Sequence, residues 1–343
     1  MQPPHELVTI APSSGLARQH VAHLPILVIH AHSSCNCRCT MCDIWKTKEN
    51  RSFRPSDLEP HLASIRRLGV RWIVFSGGEP LLNQELPSVC SILKAESIHL
   101  TLLTTGLLLG KYAAQVADSF DDVIVSLDGP QKIHDSVRRV TSAFELIRSG
   151  VAALRQLCPE MSITARTTVQ KQNHVHLRDT VRAARQLDLN GISFLAADLT
   201  SQAFNRAEPW TPDRQGEVGL SVEELVSLEA ELESLIRENA SDIAHGFIAE
   251  SPAKLRRIGR QFRAQLGLEI MESPLCNAPW VSGVLETDGT VRPCFFHRSI
   301  GNIRDKSLYE IINGDEALAF RSALDISTNP ICNKCVCSLN YKR

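Results

Sequence analysis

Six short runs rich in β-branched and other apolar residues recur along the first two thirds of the chain. They are separated by stretches whose apolar residues return every three or four positions. The runs are PILVIHA (25–31), RWIVFSG (71–77), IHLTLLTT (98–105), DVIVSLD (122–128), SITARTTV (162–169) and GISFLAA (191–197). The intervening DLEPHLASIRRLG and VTSAFELIRSGVAALRQL carry helical periodicity. Strands that are apolar almost throughout are buried on both faces, which a parallel sheet flanked by helices provides. The class is therefore α/β. Repeats of about 25 to 40 residues fit a full or partial (βα)6 TIM-like barrel, with chemistry at the C-terminal ends of the strands.

The pattern changes after residue 200. TSQAFNRAEPWTPDRQGEVG reads as a polar connector containing Pro and Gly, and SVEELVSLEAELESLIRENA as a helix opened by a Ser-x-x-Glu capping box. From about residue 271, SGVLETDGTVRPC suggests a hairpin around an Asp-Gly turn. The reading divides the chain into an extension (1–24), a barrel core (25–200), a helical connector (201–270) and a C-terminal segment (271–343).

Of the 343 residues, 43% are hydrophobic and 22% charged, which is a globular composition. The formal charge of −1 argues against nucleic acid or an anionic membrane as partner. The one basic run, KLRRIGRQFR (254–263), reads as the solvated face of a helix. The first twenty residues lack the order of a signal peptide, and no apolar run is long enough to span a bilayer, so a cytoplasmic location is expected. In that reducing compartment a disulfide framework among the eleven cysteines is not expected, and the clustered ones are better read as metal ligands.

Four of these cysteines fall within SSCNCRCTMCDIWK, directly after the first strand. Cys35, Cys39 and Cys42 form Cys-x3-Cys-x2-Cys, a spacing that lets three thiolates converge on one metal centre. A closed zinc site needs four ligands, whereas a 4Fe-4S cube held by three leaves one iron open. Cys37, two residues from the nearest cysteine on either side, has difficulty reaching the same metal and is assigned as a bystander. CNCRCTMC resembles the cluster loop of the radical S-adenosylmethionine (SAM) enzymes, whose three cysteines hold a 4Fe-4S cluster with its fourth iron chelated by SAM. Met41 stands where that family usually has an aromatic residue; a soft apolar side chain could pack on adenine in a similar way.

The second strand ends in FSGGEP. In isolation Gly-Gly-Glu-Pro is as readily a plain turn, although glycines at a strand end also allow close backbone approach to a ligand. The resemblance assigns Gly77, Gly78 and Glu79 to the amino group of SAM, with Pro80 fixing the turn. The fourth strand ends in SLDGPQKIHDSVRR, similar to a stretch shared by the SPASM and twitch branch of the family. By that resemblance Ser126 contacts the methionine or ribose end of SAM, and Asp128 and Arg138 face substrate. Thr104, Thr105 and Gly106 are further candidates at the end of strand three, and His134 reads as a capping or surface residue.

Five cysteines lie in the C-terminal segment. Cys276 and Cys294 bracket the hairpin as Cys-x12-Gly-x4-Cys, and Cys332 and Cys335 add a Cys-x2-Cys knuckle. By ligand count, zinc and an iron–sulfur cluster fit these four equally well. The pattern resembles the twitch or truncated SPASM domain, which implies one auxiliary 4Fe-4S cluster in place of the two that a full seven-cysteine SPASM domain holds. Cys337 is then spare; an inert or structural place is expected, with alternative ligation or hydrogen donation to a product radical as other roles. Cys90 and Cys158 lie in helical patterns and read as small buried hydrophobes.

The resemblance implies that SAM and two 4Fe-4S clusters are the cofactors and that a 5'-deoxyadenosyl radical removes hydrogen from a C–H bond. It also implies an electron donor such as flavodoxin or ferredoxin. A small hydroxylated substrate of the sugar, aminocyclitol or nucleoside type is expected, with dehydrogenation or epimerisation as outcome. Peptide modification is the rival reading, and a non-catalytic metal-binding protein leaves GGEP and the open three-cysteine site unexplained.

Overall fold

In a computed structural model, the described residues are 19–206, 208–271 and 273–342. Most of the extension expected over 1–24, namely residues 1–18, lies outside them. The chain forms two compact units, both discontinuous in sequence.

Of the described residues, the first unit comprises 19–34, 48–102 and 273–342. Its strands are β1 (Ile26–His32), β2 (Trp72–Gly77), the first four residues of β3 (His99–Thr104), β7 (Ser282–Leu285), β8 (Thr290–Arg292) and β9 (Gly301–Asn302), in the order β3-β2-β1-β7-β8-β9. The first four strands are mutually parallel, and β8 and β9 continue antiparallel. Ile29 lies in register with Phe75 and with Leu285, and all three are nearly inaccessible. This row forms the apolar face. The helix Leu86–Ala95 buries Leu86, Val89, Cys90 and Leu93 along one stripe, so Cys90 is the small buried hydrophobe expected.

The stretch DLEPHLASIRRLG is not one helix. It forms the helix Pro55–Leu58, a 3-10 turn Glu59–His61 and the helix Leu62–Arg67. Pro60 has no N–H to donate, which interrupts the helical hydrogen-bond ladder at this point. The hairpin expected around Asp288-Gly289 is present between β7 and β8, with Gly289 at φ +88°.

The second unit comprises residues 35–47 and 103–272. It holds β4 (Asp122–Ser126), β5 (Ser162–Val169) and β6 (Gly191–Ala196), parallel and adjacent in that order. The helix Ala143–Leu157 begins later than the periodicity suggests, because Ser142 takes the left-handed conformation, φ +62°. Cys158 is half-buried at its C-cap, outside the helix in which it was expected. The helix Val222–Glu238 opens with the anticipated box: Ser221 Oγ accepts from Glu224 N, and Glu224 Oε2 accepts from Ser221 N. The basic run lies on the helix Pro252–Gln265, where Arg256 and Arg263 pair with Glu233 and Glu229 of that neighbouring helix and Arg260 pairs with Glu269. These guanidinium groups are neutralised locally.

Candidate active site

The cluster loop belongs to the second unit and is held mainly through Cys39. The helix Gln131–Arg138 ends where Arg139 turns left-handed, φ +52°. The carbonyls of its last turn, left without helical partners, accept from the loop: Arg38 N donates to Arg138 O at 3.1 Å and Thr40 N to Val137 O at 3.1 Å. Both amides flank Cys39. The Arg138 side chain approaches the same residue, with Nη1 3.5 Å from Cys39 Sγ and Nε 2.6 Å from Asp128 Oδ2. A hydrogen bond from Cys37 and the Arg138 charge hold the Cys39 thiol below the ordinary thiol range, against the effect of burial. Burial disfavours the charge on Arg138, but Asp128 and Cys39 more than restore it.

Cys37 is the most deeply buried of the four loop cysteines and hydrogen-bonds to Cys35 and Cys39, which keeps its own proton firmly bound. Cys42 is pushed up to about 12, first by burial and then by the charges of Cys39 and Cys35. The expected ligands Cys35, Cys39 and Cys42 are thus electrostatic neighbours. Beside them, Asn36 accepts from Thr105 Oγ1 at 3.0 Å through Oδ1, while its Nδ2 is buried without a hydrogen-bond partner among the described residues. Soft sulfur donors on one short loop, with an unanswered amide next to them, suit an iron–sulfur cluster better than a hard cation.

The stretch read as a polar connector does more than link. Trp210 is buried with two cations at its ring, the Arg206 guanidinium 3.7 Å and that of Arg214 4.6 Å from the centroid. Its Nε1 donates to Asp43 Oδ2 at 2.7 Å. Arg206 pairs with Asp198 at 2.7 Å and donates to Met41 O, and Arg214 donates to Thr40 O. Met41, Cys37 and Cys39 pack in one apolar cluster with Val137, Leu199, Trp210 and Val218. The available signal was a tryptophan with arginines four residues to either side, masked by the surrounding polar composition.

At the end of β4, Ser126 is half-buried. Asp128 and Arg138, expected to face substrate, are 0% and 7% exposed and are committed to each other and to Cys39. Thr168 N also donates to Asp128 Oδ1 at 3.1 Å. His134 is not at the surface. It is fully buried, accepts from Asp128 N through Nδ1 at 3.2 Å, and is kept neutral, lowered to about 3 by burial and by Arg138. Thr104 Oγ1 accepts from Gly106 N at 3.0 Å.

In the first unit, GGEP is pressed against the backbone that leads out of β1. Gly78 N donates to His32 O and Glu79 N to Ser34 O, both at 2.9 Å. A Cβ on Gly78 would lie 2.0 Å from Ser34 O, and Gly77 sits at φ +103°, so both positions require glycine. Pro80 opens a 3-10 turn whose Leu81 N donates to the buried Glu79 carboxylate at 3.1 Å. Ser34, which accepts from Glu79 N, directly precedes Cys35 in the chain.

The five C-terminal cysteines also gather in the first unit. Asn277 is tied to the chain end through Leu339 O and both polar groups of the Tyr341 backbone, which draws Cys276 toward the tail. Asn329 caps the knuckle by accepting from Ile331 N and Cys332 N. Cys294 is pushed up to about 11 by burial, with the amides of Phe296 and His297 opposing and Cys276 and Cys337 adding. Cys332 rises to about 11 and Cys335 rises further, again from burial first. His297, absent from the sequence reading, places Nε2 3.4 Å from Cys332 Sγ. Among the described residues no three His, Cys, Asp or Glu side chains are closed around a single metal position; the sulfurs stand as neighbouring thiols. None is in a disulfide.

Comparison with known proteins supports the same reading. The family model described as the radical SAM superfamily matches residues 31–184, and that of an iron–sulfur cluster-binding domain, SPASM, matches 276–336. A probable GTP 3',8-cyclase of Methanococcus maripaludis is 34% identical over 34% of this chain and 41% of its own length. The pre-heme d1 synthase of Dinoroseobacter shibae is 28% identical over 46% and 40%. The chain thus spans less than half the length of these two relatives. The GTP 3',8-cyclase of Corynebacterium glutamicum is 27% identical over 79% of this chain and 72% of its own. Among solved structures, anSMEcpe with bound AdoMet superposes with a TM-score of 0.64 at 20% identity, covering 90% of this chain and 82% of that one. Streptococcus suis SuiB bound to its precursor peptide SuiA gives 0.62 at 14%, covering 94% and 73%. These likenesses bear out the expected fold, a βα barrel core with a C-terminal iron–sulfur domain. The cofactors to which the sequence points, SAM and iron–sulfur clusters, are those of this pair of domains. The chain belongs to the radical SAM enzyme superfamily, in its SPASM and twitch branch.

Proposed function

We propose that the protein removes a hydrogen atom from a small hydroxylated substrate of the sugar, aminocyclitol or nucleoside type, leading to dehydrogenation or epimerisation. The observation that carries the initiating half is the support around Cys39, where two backbone donors and a buried guanidinium fix one sulfur of a three-cysteine loop. Cys35, Cys39 and Cys42 are the ligands of the SAM-binding 4Fe-4S cluster, and Cys276, Cys294, Cys332 and Cys335 those of one auxiliary cluster. When bound, the first cluster and SAM supply the 5'-deoxyadenosyl radical.

The chain's own residues bind and orient. Gly77, Gly78, Glu79 and Pro80 form a glycine turn for the amino end of SAM, and Ser126, Thr105 and Met41 serve its ribose and adenine. Because Asp128 and Arg138 are buried, their proposed part is to position Cys39 rather than to touch substrate. Epimerisation needs a hydrogen donor, for which the exposed Cys337 thiol is the candidate; dehydrogenation does not. The boundaries 25–200, 201–270 and 271–343, a cytoplasmic location, and a flavodoxin or ferredoxin as reductant complete the proposal. Among the described residues no helix is long and apolar enough to cross a membrane.

Five C-terminal cysteines, against the seven of a full SPASM domain, favour the small substrate. The peptide-bound state of SuiB favours a second reading, in which the substrate is a peptide. Reduced, reconstituted protein with SAM and carbon-deuterated sugars, cyclitols and nucleosides separates the two. Deuterium in 5'-deoxyadenosine from one of these compounds supports the proposal; deuterium from a peptide alone overturns it.

A further inference from the structure

We propose that His30, Ser76, Glu286 and Arg292 form a subsite that binds a hydroxyl-bearing carbon of the substrate; this rests on the small hydroxylated substrate proposed above. All four lie in the first unit, and strand register brings them together. Ile29, Phe75 and Leu285 form one row across β1, β2 and β7 and are nearly inaccessible. The next residue on each strand points to the opposite face: His30 and Ser76, paired in register, and Glu286 directly after β7. Arg292 on β8 is paired with Val284, which lies in register with Val28, so it stands on that same face. Four neighbouring strands therefore present a hydroxyl, an imidazole, a carboxylate and a guanidinium at one place.

The group is pre-organised. Arg292 Nε lies 2.7 Å from Glu286 Oε1, and Arg292 Nη1 donates to His297 O at 3.1 Å. The His30 ring stacks on Phe295, with centroids 5.8 Å apart and planes at 29°. A β-bulge follows His30, and Gly77 packs on its Cβ, which fixes the direction of the side chain. His30, Glu286 and Arg292 are half-buried, reachable yet sheltered. Burial lowers the His30 pKa, so its ring is neutral at neutral pH and can accept from a hydroxyl. The Glu286 carboxylate accepts as well, and the Arg292 fork donates to a substrate oxygen.

The position also suits a substrate. In sequence, Ser76 directly precedes the glycines of the proposed SAM turn, and Phe295, on which His30 stacks, directly follows the proposed auxiliary-cluster ligand Cys294. The mechanism above uses none of these four side chains. His30, Ser76 and Glu286 are held at or just beyond the C-terminal ends of parallel strands, where this architecture places its chemistry, and Arg292 joins them from the antiparallel β8.

The test uses the reconstituted full chain with SAM, a chemical reductant and carbon-deuterated myo-inositol, glucosamine and guanosine as probes. Deuterium in 5'-deoxyadenosine is the readout. His30→Gln and Glu286→Gln are compared with wild type at equal iron content, Glu286→Gln retaining the size of its side chain should His30→Gln fail to fold. The expected result is a KM for the active probe raised about tenfold or more, with a smaller change in kcat. If wild type transfers deuterium and both variants keep its KM, the subsite is wrong and the substrate reading stands. If wild type takes deuterium from a peptide and from none of the probes, the hydroxylated-substrate reading falls, and the hydroxyl assignment with it.

Discussion

The two cysteine groups are built on different electrostatic plans. Around the loop at Cys35–Cys42, Arg138 and Arg206 are buried cations, and the Cys39 thiol is lowered. In the C-terminal group, burial and the neighbouring sulfurs raise Cys294, Cys332 and Cys335, and a histidine rather than a cation touches Cys332. A buried thiolate needs either a counter-charge from the protein or a metal. In the first group Arg138 supplies that charge to Cys39; in the second the proposed cluster would supply it. The comparison teaches that the protein itself supplies a counter-charge to one sulfur of the loop, whereas the C-terminal thiols are raised by burial and by one another.

The largest expected effect comes from changing Cys35, Cys39 and Cys42 together to Ala. Iron in the reconstituted protein should fall by about half, from about eight per chain, and 5'-deoxyadenosine formation should cease. Retention of all the iron would place the ligands elsewhere. Next in size, Arg138→Met leaves Asp128 as a buried uncompensated charge and should cost about 3–5 kcal/mol in a denaturant titration. Joint replacement of Asp128 and Arg138 by apolar residues should recover much of that stability, and the support for Cys39 would still be missing.

Acid should expose the same region. A histidine lowered to about 3 stays neutral in the fold and takes up a proton once unfolded. Its contribution is therefore complete above an unfolded pKa of about 6.5 and is lost progressively as pH falls toward 3. His134→Phe should flatten that acid limb in thermal melts recorded between these values. The smallest effect is expected for Trp210→Phe, which keeps a ring beside the arginines but removes the hydrogen bond to Asp43. A loss of about 1 kcal/mol is predicted, and an unchanged denaturation midpoint would show that the bond contributes nothing.

How much could be read beforehand varied with distance along the chain. PILVIHA became Ile26–His32, and DVIVSLD became Asp122–Ser126, because apolar runs report strands directly. Pro60 was visible in DLEPHLASIRRLG, yet the periodic residues around it outweighed it in the reading. Arg138 was identified as important but assigned to substrate, since nothing local says that it will meet a sulfur 99 residues away. Trp210 and Asp43 are 167 residues apart, and the indole was lost within a polar stretch.

What the sequence by itself determined is whatever depends on close neighbours: the alternation of strands and helices, the capping box at Ser221, the Asp-Gly hairpin and the cysteine spacings, whose resemblance to a known family points to the cofactor chemistry. Only the tertiary structure decided which polar side chains share a face and which cation answers which thiol. The row of His30, Ser76, Glu286 and Arg292 exists because hydrogen-bonded strands from distant parts of the chain settle into one register. A shift of one residue would turn those side chains to the other face, and no local pattern encodes that choice.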